Sequence, residues 1–411
     1  MSTLLVKNIG CMQTPIGSFS HRGASQGENL KLSEAAILIK DGIIKEITSE
    51  GVMPEGADSA DVVVDAMGKL VTPGLVDAHT HMVFGGYRQH EIPMKLKGAG
   101  YLDILKAGGG INYTVRETRK ADFESLYDKT AAFLDEMAGL GVTTCEAKSG
   151  YGLDEETEIK ILRVLKKLNE EHPLDVVSTF MGAHAVPEEY KDNSEGFLKL
   201  MIETVLPRVK AENLAEFADV FTEKAVFDKE ESKIYLEAAK KLGFGLKIHA
   251  DEIYPIGGST LAGEIGAVSA EHLIKIDEAG LEAMAKAGVT AVCLPGTSFY
   301  LGADFAPARR MIEMGIPVAV STDFNPGSCP SLNLQFIMNL AMLKYKMLPE
   351  EILTAVTINA ACAINRGDLV GTLEVGKQGD LVIWNCEDFE MLCYRYGSNL
   401  ALSTIKKGVL I

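Results

Sequence analysis

The sequence lacks any long apolar run. No window of about 18 consecutive apolar residues, the length a membrane helix needs, occurs among its 411 residues. The opening MSTLLVKNIG has neither a basic leader nor an apolar stretch long enough to direct export. Neither membrane insertion nor secretion is therefore expected, and the cytoplasm is the expected location. A C-x-x-C pair is also missing. The 7 cysteines (Cys11, Cys145, Cys293, Cys329, Cys362, Cys386 and Cys393) are odd in number and scattered, which suits reduced thiols rather than a disulfide framework or a zinc ribbon. Positive charge is scarce: 40 Lys and Arg stand against 57 Asp and Glu, a net charge of −17. Without a basic cluster to release counterions, nucleic acid and anionic lipid are not expected as partners. An anionic small molecule would need a local arginine or backbone N–H groups to overcome this field. The Gly108 to Gly110 run is followed by INYT rather than GK[ST], so it reads as a turn and not as a phosphate loop.

What is present is an ordinary globular composition, 47% hydrophobic, with a repeating order. Short apolar or β-branched runs alternate with amphipathic stretches, several ending in Gly, as βα units do. The candidate strands are LVDAHTH (75–81), VTTCEAKSG (142–150), VVSTFMGAHA (176–185), ADVFTEKAVF (218–227), LKIHADE (246–252), AVSAEHL (267–273), VTAVCLPG (289–296) and PVAVSTDFNPG (317–327). Eight such units predict an α/β chain folded as a (β/α)8 TIM barrel over 69–367, although an open doubly wound sheet satisfies the same count. Residues 1–68 and 368–411 read as short alternating strands separated by Gly and charged turns, so a smaller β-sandwich-like domain built from both termini is expected.

A parallel barrel buries its strands and leaves chemistry to their C-terminal ends. Polar residues gather there: His79 and His81 on the first strand, His184 on the third, His249 and then Glu252 on the fifth, His272 on the sixth and Asp323 on the eighth. Singly, each has an ordinary reading, a hydrogen-bonded core histidine for His249 or an Asx-turn for Asp323 before Pro326. Together they are a pattern. Residues i and i+2 of a strand face one side, so His79 and His81 address one point. Three imidazoles and a carboxylate suit Zn(II) or iron with one position left for water. His21, His90 and His172 lie away from strand ends, and local hydrogen bonding is expected of them.

PGLVDAHTH, the His249 and His272 strands and Asp323, combined with the split terminal domain, resemble the amidohydrolase superfamily. Within it, VDAHTHMVFGGYRQHE, LKAGGGINYTVRETR, EAKSGYGLD, TFMGAHAVPEEY, KIHADE, AEHL, LPGTSFYL, STDFNPGSCPS and GTLEVGKQGDLVIW resemble the imidazolonepropionase family along nearly the whole chain. The resemblance implies hydrolysis of the cyclic amide of 4-imidazolone-5-propanoate to N-formimidoyl-L-glutamate in histidine degradation. It also implies one Zn(2+) or Fe(3+) per subunit, held by His79, His81, His249 and Asp323. Arg88, Tyr151, His184, Glu252, Asn325, Gly327 and Ser328 would contact the substrate, with Arg88 on its propanoate. Glu252, His272, His184 and Asp323 would form the catalytic group, Glu252 moving a proton to the leaving nitrogen. Superfamily members with two metals place a lysine or glutamate at the fourth strand, where Glu223 and Lys224 stand here. The family likeness favours one metal and leaves both out. A homodimer is usual among such relatives. The nearest rival is a deaminase of a neutral N-heterocycle such as cytosine or guanine, which would have no carboxylate for Arg88 to bind. A catalytically silent scaffold would need the ligand set to hold no metal.

Overall fold

The computed structural model describes residues 2–98, 107–224 and 226–411; Leu105 and Lys106 of the LKAGGG motif and Ala225 of the expected fourth strand lie outside them. The terminal strands are rich in aliphatic side chains, and their burial ranges from complete in Leu70–Pro73 to slight in Val62–Asp65. These strands are β1 (Thr3–Thr14), β2 (Leu30–Lys40), β3 (Ile43–Thr48), β4 (Val62–Asp65) and β5 (Leu70–Pro73). Leu4, Val6, Ile37, Ile39 and Ile44 from this end share a core with Leu381, Ile383 and Ile405 from the other. Barrel strands follow: β6 (Leu75–Asp77), β7 (Val142–Lys148), β8 (Asp175–Ala183), β9 (Phe217–Thr222), β10 (Gly245–Ala250), β11 (Ser269–His272), β12 (Thr290–Cys293) and β13 (Val318–Val320). The chain then returns to the first sheet with β14 (Leu381–Trp384), β15 (Ala401–Lys406) and β16 (Val409–Leu410). That sheet runs β16-β15-β14-β5-β1-β2-β3 with β4 beside β1, and mixes parallel and antiparallel pairs. Leu70–Pro73 thus pairs within it, between β1 and β14.

The eight strands β6 to β13 pair in sequence order, every pair parallel. Helices between them close the outer face, and Asp122, Asp154, Asp228 and Asp277 each accept the N–H three residues on, the N-cap geometry that satisfies an otherwise orphaned donor. Closure between β13 and β6 relies on side chains as much as on the backbone. Asp77 accepts the Thr322 N–H at 3.1 Å and the Thr322 hydroxyl at 2.5 Å, and Ser321 Oγ accepts the Ala78 N–H at 2.9 Å. Beyond these, the Asp323 N–H reaches His79 O at 3.0 Å and the His81 N–H reaches Phe324 O at 2.8 Å. The barrel is thereby nearly closed, and its last rung carries the histidine pair.

All eight barrel strands are shorter than expected, the eighth most of all, with Val318–Val320 in place of 317–327. His79 and His81 lie beyond the last ladder residue of β6, on a segment that carries the isolated Thr80–Phe324 bridge. They keep the i, i+2 alternation because the backbone bonds just described continue the strand path. The fourth strand stops at Thr222 instead of continuing to Phe227, since the Glu223 N–H turns back to Phe227 O at 3.0 Å and Val226 bonds to Glu223 O at 3.0 Å. Among the described residues, no helix is long and apolar enough to cross a membrane.

Candidate active site

His79 and His81 follow β6, and His249 lies on β10; all three imidazoles are buried. His79 Nε2 and His249 Nε2 each lie 3.3 Å from His81 Nε2. Asp323 Oδ1 lies 3.4 Å from His79 Nε2 and 3.7 Å from His81 Nε2. The far nitrogens define the tautomers. His79 Nδ1 donates to Glu271 Oε2 at 3.0 Å, and His249 Nδ1 donates to Asp219 Oδ1 at 3.1 Å, because carboxylates can only accept. Burial lowers the basicity of all three, His249 to about 3 and the other two well below the usual histidine value. The Nε2 lone pairs of His79 and His249 therefore point at His81 Nε2 and, for His79, at a carboxylate oxygen, while the buried His81 Nδ1 has no hydrogen-bond partner among the described residues, a convergence of donor atoms that a cation at the centre would satisfy. The donor set fits a metal of borderline character such as zinc or iron.

Asp323 is held by its second oxygen, which accepts the Thr297 hydroxyl at 2.5 Å, and burial lifts its carboxyl to about 7. Its backbone is left-handed, φ 54°, as are Asp251, His272 and Leu273 at φ 50°, 68° and 59°. These four lie at the C-terminal ends of β10, β11 and β13, among other left-handed residues spread along the chain.

A cavity of about 100 Å³ opens above the histidines. Its walls include His81, Arg88, Tyr151, His184, His249, Glu252, His272, Asp323, Asn325 and Ser328, so residues spread from 81 to 328 in sequence meet around one space. His79 sits beneath it, and Gly327 lies against the Arg88 guanidinium, where an added Cβ would approach Nη1 to 2.2 Å. His184 Nδ1 donates to Gly150 O at 3.0 Å and its ring stacks on His81 with centroids 5.1 Å apart. Burial lowers it to about 4, so it is neutral and its Nε2 is an acceptor. Gly150 has φ +117°, and a Cβ there would meet His184 Nδ1 at 2.9 Å, so glycine is needed on both counts. Burial raises the Tyr151 hydroxyl well above its ordinary value, which keeps it a proton donor.

Glu252 is pushed up to about 7, first by burial and then by the charge of Glu223, and its Oε2 lies 3.7 Å from His272 Nε2. Glu223 itself does not face the histidine cluster as a ligand would. One of its oxygens accepts the N–H groups of Ile253 at 2.9 Å and Tyr254 at 3.2 Å, which holds the turn that carries Glu252. Asn325 has its amide committed to its own turn: Oδ1 accepts the N–H of Gly327 at 2.8 Å and of Ser328 at 2.7 Å, and Nδ2 donates to Asp323 O at 2.7 Å.

Several residues that shape this site went unread in the sequence. Ile111 and Phe221 complete the cavity wall. Below the histidines, Glu146, Lys148, Asp219, Lys247 and Glu271 are fully buried. Lys148 Nζ lies 2.6 Å from Glu146 and 2.9 Å from Asp219, and Lys247 Nζ lies 3.6 Å from Glu271. Burial alone would lower Lys148, yet Asp219 and Glu146 outweigh it and hold the ammonium charged. The signal was visible: Glu146 with Lys148 and Lys247 with His249 are charged or polar pairs at i, i+2 inside otherwise apolar strands, and so face the barrel axis.

The amidohydrolase family profile matches residues 70–408. An imidazolonepropionase of Bacillus cytotoxicus is 49% identical over 416 residues, covering 100% of this chain and 97% of its own. One of Bacillus cereus is 51% identical, covering 92% of this chain and 89% of its own. Among solved structures, E. coli guanine deaminase aligns with a TM-score of 0.75 at 15% identity, covering 100% and 99% of the two chains. A 5-methylcytosine deaminase from Klebsiella pneumoniae aligns at 0.74 with 17% identity, covering 99% and 97%. Likeness at that distance speaks to the fold alone, whereas half identity over the full length speaks to the family. The chain belongs to the amidohydrolase family and, within it, to the imidazolonepropionases.

Proposed function

We propose that this chain hydrolyses the cyclic amide C–N bond of 4-imidazolone-5-propanoate, giving N-formimidoyl-L-glutamate. The observation that carries this reading, beside the close relatives that bear that name, is Arg88 in the wall of the cavity that the histidines floor. A guanidinium there offers a carboxylate-bearing substrate the planar, bidentate contact that the chain's overall negative charge does not. His79, His81, His249 and Asp323 would hold one Zn(2+) or Fe(3+) per subunit. When bound, that ion supplies acidified water near neutral pH and positive charge for the carbonyl oxygen. Glu252 accepts the proton of the attacking water as it adds to the ring carbonyl carbon, then delivers it to the ring nitrogen as the C–N bond breaks. His184 Nε2, an acceptor, holds a ring N–H of the substrate, and His272 steadies Glu252 and the water. Tyr151 donates its hydroxyl, while the Asn325 turn presents Ser328 and keeps Gly327 clear for Arg88. Residues 69–367 carry the catalytic barrel, apart from the Leu70–Pro73 strand that pairs in the terminal sheet, and 1–68 with 368–411 make up its companion, in a cytoplasmic homodimer.

The test is direct. Purified protein mixed with fresh imidazolone propanoate should remove its ultraviolet absorbance faster than the spontaneous rate, and a chelator should abolish the excess. A rate no better than spontaneous would sink the assignment. Arg88→Ala separates it from a deaminase of a neutral heterocycle: here KM should rise by an amount worth about 2 to 4 kcal/mol, whereas a neutral-base enzyme would be unmoved.

A further inference from the structure

Glu91 is a carboxylate only 1% exposed, three residues beyond Arg88. Its Oε1 accepts from Arg88 Nε at 3.0 Å and from the Gly110 N–H at 2.6 Å. Its Oε2 accepts from Arg88 Nη2 at 3.3 Å and lies 3.3 Å from Lys95 Nζ. Burial alone would raise this carboxyl, but the Arg88 and Gly110 hydrogen bonds outweigh it and hold it below the usual carboxylate range, so it stays charged. A guanidinium has five N–H groups in one plane, and Glu91 engages one edge. Gly327 lies on the other side, where a Cβ would fall 2.2 Å from Nη1 and 2.8 Å from Cζ. The guanidinium is thus gripped along one edge and fits only because residue 327 has no side chain. The Gly110 bond ties the same carboxylate to the start of the helix Ile111–Lys120, whose first residue also lines the cavity.

We propose that Glu91 is a positioning residue that holds the Arg88 guanidinium ready for the substrate's carboxylate, and so helps set the preference for an anionic tail. The inference rests on the imidazolone propanoate reading given above. A free arginine side chain loses rotamer entropy when it is fixed. Glu91 fixes it in advance, and binding is strengthened by that preorganisation. With Lys95 also beside Glu91, the group of Arg88, Glu91 and Lys95 carries one net positive charge towards the ligand.

The experiment uses the metal-loaded full chain with Glu91→Gln, Arg88→Ala and the double variant, assayed on imidazolone propanoate and on its primary amide, which has no charge. Glu91→Gln should raise KM for the acid about tenfold with kcat within about twofold, and leave kcat/KM for the amide unchanged. The double variant should be no worse than Arg88→Ala alone, because the two side chains act as a unit. Glu91→Asp, which keeps the charge one methylene short, should fall between wild type and Glu91→Gln and serves if the glutamine variant does not fold. Equal loss on acid and amide, or losses that multiply in the double variant, would overturn the proposal. Wild-type protein that opens neither compound would instead remove the functional reading beneath it, and that is seen before any variant is made.

Discussion

At the scale of single residues, Glu252 joins geometry to acidity. Its carboxyl, raised to about 7 by burial and by Glu223, can take and return a proton near neutral pH, where an ordinary glutamate would be too weak a base. Glu252→Gln keeps the shape and removes the acceptor. It should lower kcat by roughly 10² to 10⁴ with little change in KM, as steady-state kinetics would show. The sign with pH follows from the role. The carboxylate must be unprotonated to receive the water's proton, so activity should fall as pH drops through about 7, and an acid limb absent from the kcat profile would remove Glu252 from this role.

At the scale of elements, what matters is that strands carry charge into the barrel. Asp219 on β9 and Glu271 on β11 each hold the far nitrogen of a candidate ligand, and Lys148 on β7 holds Asp219. Partnered this way the charges are tolerable; unpartnered they would be costly. Asp219→Asn should leave the fold intact and weaken metal binding about 10- to 100-fold, read by competition with a chelator of known affinity. Unchanged affinity would mean that His249 is oriented by packing alone. Alternation along each strand announced which residues face inward, but not that carboxylates from β9 and β11 would meet imidazoles from β6 and β10, because side-chain period is local and strand pairing is not.

At the scale of the whole molecule, the two sheets are joined by a buried ion network. Lys406, 2% exposed on β15, lies 2.6 Å from Asp380 and 2.7 Å from Asp175, the first residue of β8 in the barrel. Lys406→Met would leave Asp380 buried without its cation and should lower unfolding free energy by about 3 to 5 kcal/mol, seen as a lower denaturant midpoint. Lys406→Met combined with Asp380→Asn should recover part of that loss, since the stranded charge is gone. No recovery would show that Lys406 acts through packing.

Much of this was legible in the chain itself. Eight βα repeats predicted a parallel barrel, because strands buried on both faces are largely apolar and parallel neighbours are joined by crossover helices. The residues placed at strand ends, His79, His81, His184, His249, His272 and Asp323, did come together, since the C-terminal mouth is the one place where such ends meet. Other features depended on contacts between distant segments: the early end of β9 at Thr222, Glu223 as the cap of the Glu252 turn, Asn325 spent on its own loop, and Glu91 gripping Arg88 against Gly327. Local periodicity and residue type determine which side chains face the axis and which chemistry they bring. Only the folded chain decides which buried charge finds which partner, because that choice is made by closure of the barrel over hundreds of residues and not by neighbours in sequence.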